Sequence, residues 1–113
     1  MSPGQRDDYL LRQASALAEI LARIVGLRLD GKPEEARAGL EGAYATLLGS
    51  QAGLLRRVDT ATAAKLVGSS EKILTFAALI DEEAEQEKDE GRKALLRARA
   101  AEMKRRVERK ESR

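Results

Sequence analysis

The chain has no cysteine, no histidine and no tryptophan. Without cysteine there is no disulfide, no thiolate nucleophile and no Cys-based zinc site; without histidine there is no imidazole general base. The only aromatic residues are Tyr9, Tyr44 and Phe76, so a core must be filled by Leu, Ile and Ala. β-Branched and aromatic residues are too few for a sheet. No apolar run approaches the ~20 residues of a membrane span. The N-terminal "MSPGQRDDYL" has neither the basic start nor the apolar middle of a secretory signal, which makes the cytoplasm the expected compartment.

What is present points to helices. The chain has 113 residues, 35% of them charged, and Ala, Leu, Arg and Glu dominate. These side chains lose little rotamer freedom in a helix. The length suits one domain that buries roughly 65% of its unfolded surface. The expected fold is all-α: antiparallel helical hairpins with about four main helices plus one or two short ones. The expected boundaries are a single helical domain over residues 6–107 and a frayed basic tail over 108–113. The abundance of Ala, Gly and Arg suggests a bacterial source.

Apolar residues at 10, 14, 17, 20, 21, 24 and 27 have helical spacing, with Asp7 or Asp8 placed to cap the free amides. Asp30-Gly31 ends that helix. Pro33 opens the next, with Glu34 and Glu35 complementing its dipole. The second helix should bury Ala36, Leu40, Ala43, Tyr44 and Leu47 and stop at Gly49. Two short helical turns follow, one around Leu54, Leu55 and Val58, the other capped by Asp59 and closed at Gly68. Ser69 or Ser70 caps a long helix with Ile73, Ala77, Ile80 and Ala84 on its apolar face. Its last turns are acidic and lack an apolar anchor. Gly91 is the expected break, and a basic helix follows with Leu96, Ala100, Met103 and Val107 on one face.

The two halves echo one another. Ala36, Leu40, Ala43 and Leu47 stand at the same steps from Gly31 as Leu96, Ala100, Met103 and Val107 do from Gly91. The stretch "GLRLDGKPEEARAGLEGAYATLL" resembles a tetratricopeptide hairpin. Together with "LLRRVDTATAAKLVG" the span of residues 6–101 is similar to an uncharacterised bacterial family of small tetratricopeptide-like proteins. That resemblance implies helical hairpins and is silent on function, because its motifs are packing motifs. The half-to-half spacing of about sixty residues departs from the tandem period of ~34.

Charge is segregated. Residues 81–90 hold seven acids against Lys88, and residues 92–113 hold ten bases against Glu102, Glu108 and Glu111, within an overall charge of +2. A turn at Gly91 would set the acidic end of one helix beside the basic start of the other, favouring that pairing over misregistered ones. Alternatively, Arg97, Lys104, Arg105, Arg106 and Arg109 form a basic face that contacts a partner. That partner is an acidic protein surface, a second copy of the chain through its own residues 81–90, or the phosphates of nucleic acid bound without sequence preference. No aromatic lies nearby to stack on bases. A third possibility is one unbroken helix through Gly91, which would need a partner helix to cover it.

No catalytic constellation is visible. Glu82, Glu83, Glu85 and Glu87 lack the histidines of a di-metal bundle and read as a solvated face. "DGKPEE" and "VGSSEK" are not phosphate-binding loops. Ser69 and Ser70 have no base to activate them. Tyr9 and Tyr44 read as core residues with wet hydroxyls. The sequence therefore predicts no catalytic, cofactor or metal residues, no membrane segment and no small-molecule substrate. It predicts a non-catalytic helical protein-interaction or assembly module, working through a groove between the first helix and the Ile73–Ala84 helix or through the basic face. Non-specific nucleic-acid binding is the alternative.

Overall fold

The computed structural model describes the backbone of residues 3–111, with side chains at 12 and 15–110. Six α-helices and one 3-10 turn make up the described chain: α1 (Pro3–Leu29), α2 (Pro33–Leu48), the 3-10 turn (Gly49–Gln51), α3 (Ala52–Arg57), α4 (Thr60–Val67), α5 (Ser70–Gln86) and α6 (Glu90–Glu111). There is no strand among the described residues, and none of their helices is long and apolar enough to cross a membrane.

α1 and α2 form one antiparallel hairpin and α5 and α6 a second; α2 and α1 pack on α5, while α3 and α4 bridge the hairpins. The first turn is set by Gly31, whose φ of 75° lies in the left-handed region. There Lys32 N donates to Leu27 O at 2.9 Å and Gly31 N to Arg28 O at 3.2 Å, satisfying carbonyls that α1 would leave open. Pro33 occupies the first position of α2, where its missing N–H costs nothing. Asp59 caps α4 by accepting from Thr62 N at 3.1 Å, and Ser69 caps α5 by accepting from Lys72 N at 3.3 Å.

The core follows the helical spacing. Leu17 and Ile24 of α1 meet Ala36, Leu40, Ala43, Tyr44 and Leu47 of α2, then Ile73, Phe76, Ala77, Leu79 and Ile80 of α5 and Ala100, Met103 and Val107 of α6. Four alanines in that set are fully buried, which lets the helix axes approach closely. The echoed positions Ala36, Leu40, Ala43, Leu47, Ala100, Met103 and Val107 are all buried, and Leu96 is half-buried.

Several expectations need correction. The second hairpin does not turn at Gly91. It turns at residues 87–89, where Glu87 is extended (φ −78°, ψ 131°), and Gly91 lies inside the first turn of α6. Asp89 starts α6: its side chain accepts from Arg92 N at 2.8 Å and its carbonyl from Lys93 N at 2.9 Å. A true cap outweighs a glycine that has no need of positive φ. A continuous helix from Ser70 to Arg109 would be about 60 Å long. The longest dimension of the molecule is 45 Å, so the rod is excluded.

At the other end, α1 begins at Pro3, ahead of Asp7 and Asp8, so neither starts the helix; their side chains, like those of Tyr9, Leu10 and Ala14, lie outside the described residues. α6 continues as helix to Glu111. The acidic last turns of α5 are anchored by a polar group rather than left loose. Glu82 is 4% exposed and accepts from Arg28 Nε at 2.9 Å and Arg28 Nη2 at 3.0 Å. Gln86 completes the set, donating to Glu82 at 3.1 Å and to the Ala36 carbonyl at 3.2 Å. This latch ties α1, α2 and α5 together.

Candidate functional site: an arginine-lined cleft

The charge reversal between α5 and α6 is absorbed within the hairpin. Arg92 lies 3.1 Å from Glu87, Arg97 2.8 Å from Glu85 and Lys104 2.7 Å from Asp81. At the far end of α6, Glu102 serves three guanidiniums: Arg105 at 3.0 Å, Arg106 at 3.0 Å and Arg109 at 3.3 Å. The contact to Arg106 is an ion pair by distance only, because its buried Nε is not aligned for a hydrogen bond. Hydrogen bonding by Arg105, together with the fields of all three arginines, holds the Glu102 carboxyl below its usual range; Arg97 and Arg28 do the same for Glu85. All five bases singled out in the sequence thus have carboxylate partners on their own chain, although three of them share one.

Where a groove between α1 and α5 was expected, the two helices touch and are pinned by Arg28 and Glu82. A concave site opens between α2, α3, α5 and α6. It is a cleft of about 340 Å³ whose apolar part is Tyr44, Phe76, Ile80 and Leu96. Around these stand Arg56, Arg57, Arg92 and Arg99, against Glu83 alone.

Each side chain is positioned for a local reason. α3 is one and a half turns long and ends in Arg56 and Arg57, where cations complement the negative end of the helix. Arg56 stacks over the Tyr44 ring at 4.0 Å and reaches Glu41 at 2.7 and 3.1 Å and Glu83 at 3.3 Å. Burial works against the Arg56 charge, but the hydrogen bond to Glu41 and the fields of Glu83 and Glu41 outweigh it and raise its pKa.

Tyr44 belongs to the core, but its hydroxyl is not wet. It donates to Glu83 at 2.6 Å, and the ring meets Phe76 edge-on at 6.0 Å. Burial, then the bond to Glu83, pushes its pKa up, so Tyr44 is a fixed donor rather than an acid. Glu83 is thereby held by Tyr44 and Arg56, with Arg92 4.0 Å away.

Arg57 and Arg99 differ from the rest. The side chain of Arg57 donates to the Gly53 carbonyl at 3.0 Å and that of Arg99 to the Leu55 carbonyl at 2.8 Å; among the described residues neither is paired to a carboxylate. A guanidinium carries five N–H donors, so most of theirs remain available. Arg99 is partly desolvated, and burial lowers its pKa against the opposing fields of Asp59, Tyr44 and Glu83. It is a cation short of counter-charge at the wall of a cavity.

In the cleft Glu83 accepts from Tyr44 and Arg56, the Tyr44 hydroxyl is held as a donor, and among the described residues no group of three or more acids is placed to hold a metal ion. The arrangement can bind and orient a negatively charged group over an apolar floor. Sequence reading missed it because its arginines come from two helices, α3 and α6, that α4 and α5 separate in the chain. Comparison with known protein families, curated proteins and solved structures returns no match to this chain.

Proposed function

We propose that the chain is a non-catalytic protein-interaction module, built on tetratricopeptide-like helical hairpins and working in the bacterial cytoplasm, that takes an acidic group of a partner protein into the cleft between α2, α3, α5 and α6. The observation that carries this reading is that two guanidiniums lining the cleft, those of Arg57 and Arg99, have no carboxylate partner among the described residues. Charge complementarity of this kind steers encounter and selects partners by excluding like charge. The apolar floor adds contact area that a bare phosphate backbone would not use.

A nucleic-acid role would draw on Arg97, Lys104, Arg105, Arg106 and Arg109. Carboxylates 2.7–3.3 Å away offset that face, and it has no aromatic for base stacking. The cleft is the better-equipped surface.

Fluorescence anisotropy with a labelled hexaglutamate peptide and with a labelled mixed-sequence DNA separates the two. The expected result is peptide binding that is lost in Arg57→Glu and kept in the Arg105→Glu/Arg106→Glu double variant. DNA binding tighter than peptide binding, and lost in that double variant, would instead establish the nucleic-acid reading.

A further inference from the structure

Two of the four guanidiniums of the cleft, those of Arg57 and Arg99, have no carboxylate partner among the described residues. Glu83 offsets one of the four guanidiniums: its Oε1 accepts from the Tyr44 hydroxyl at 2.6 Å and from Arg56 at 3.3 Å, and its Oε2 lies 4.0 Å from Arg92. Arg56 is further engaged by Glu41 and Arg92 by Glu87. Arg57 and Arg99 are left, each with a backbone carbonyl as its hydrogen-bond partner and further N–H groups unfilled.

A carboxylate side chain brings a single negative charge. A phosphate monoester brings about −1.5 to −2 near neutral pH and three strong acceptor oxygens, enough to engage two guanidiniums at once. The cavity is also asymmetric. Phe76, Ile80 and Leu96 supply an apolar floor next to the cations, and the Arg56 guanidinium stands over the Tyr44 ring, 4.0 Å from its centroid. A ligand that fits both halves has a doubly charged head on a short apolar stem. At about 340 Å³ the cavity suits one such group rather than an extended acidic segment.

We infer that the cleft recognises a phosphate monoester on a short apolar stem, carried by a side chain of the partner protein and held by Arg57 and Arg99. This deepens the reading of the cleft as a site for an acidic protein group and rests on it.

The test uses the full chain and four probes: phenyl phosphate, 3-phenylpropionate, inorganic phosphate and hexaglutamate. Binding is followed through arginine Nε–Hε signals in NMR titrations. Phenyl phosphate is expected to move Arg57 and Arg99 and to bind about tenfold tighter than 3-phenylpropionate, because both extra charge and a third oxygen are engaged. Its affinity should fall several-fold between about pH 7.5 and about pH 5.5, as the second phosphate ionisation near pH ~6 is lost; 3-phenylpropionate should be insensitive over that range. Arg57→Gln and Arg99→Gln should each weaken phenyl phosphate about fivefold or more, and Arg105→Gln by less than about twofold. Arg57 is exposed and bonds within its own helix turn, so Arg57→Gln reports on binding even if Arg99→Gln disturbs the fold.

Equal affinity for 3-phenylpropionate, or hexaglutamate binding at the cleft with none by phenyl phosphate, overturns the phosphate inference and leaves the acidic-partner reading standing. Inorganic phosphate binding as tightly as phenyl phosphate overturns the part played by the apolar floor. If no probe moves Arg57 or Arg99, both readings fall together.

Discussion

Removing Arg28 is the sharpest perturbation of the body that carries the cleft. Arg28→Met keeps much of the side-chain volume but leaves Glu82, 4% exposed, with the Gln86 amide as its remaining side-chain partner. Breaking a buried pair by deleting one member costs about 3–5 kcal/mol, because the other charge stays buried and uncompensated. Arg28 is itself 24% exposed, so water can reach the vacated space and the lower end, about 3 kcal/mol, applies. At roughly 4 °C per kcal/mol for a domain of this size, the midpoint should fall by about 12 °C in thermal unfolding followed by circular dichroism.

The double variant Arg28→Met/Glu82→Leu, which removes both charges, should recover most of the loss. A loss below about 1 kcal/mol in the single variant, or a double variant less stable than the single one, would refute the view that Glu82 is a buried charge satisfied by this latch.

Other consequences are more local. Gly31→Ala should lose about 1 kcal/mol or more because its φ is 75°, whereas Gly91→Ala should gain a few tenths in urea unfolding, its Cβ meeting Asp89 Oδ2 at an acceptable 3.4 Å; the reverse order would return the turn to Gly91. Glu85 has a depressed folded pKa through Arg97, so it contributes stability above its unfolded value near about 4.3 that is lost as pH falls through the folded one. Glu85→Gln should accordingly be less stable than the parent at neutral pH and equal to it near pH ~2, as read by thermal melts across that range. Spin labels at Leu74→Cys and Arg109→Cys, introduced into a chain free of native cysteine, should report a separation below about 25 Å, against about 50 Å along a continuous helix.

The features legible in the sequence are those with local causes. Gly31, Gly49 and Gly68 end their helices, Asp59 and Ser69 cap theirs, and the apolar stripes of α2, α5 and α6 are the buried faces. Helical periodicity carries that information because a 3.6-residue repeat leaves a trace in sequence. The turn at 87–89 leaves none, since Lys88 and its acidic neighbours look like any solvated stretch, while Gly91 advertises a break that the backbone does not need. The latch escaped because Arg28 and Glu82 are 54 residues apart.

The cleft escaped for a geometric reason visible on α6 itself. Arg97 and Arg99 are two positions apart, about 200° around a helix, so they face different neighbours. Arg97 reaches Glu85 on α5 and Arg99 reaches the Leu55 carbonyl on α3. A count of basic residues along the chain cannot separate the neutralised from the available.

Arg97, Arg105 and Arg109 of α6 are paired with the chain's own acids, whereas Arg57 and Arg99 have no carboxylate partner among the described residues. A titration of the isotopically labelled protein with hexaglutamate, observed at every arginine Nε–Hε, tests whether that difference decides where an outside anion binds. Arg57 and Arg99 should shift first and saturate together, while Arg97, Arg105 and Arg109 stay still. Movement confined to Arg97, Arg105 and Arg109, with Arg57 and Arg99 silent, would contradict the cleft reading.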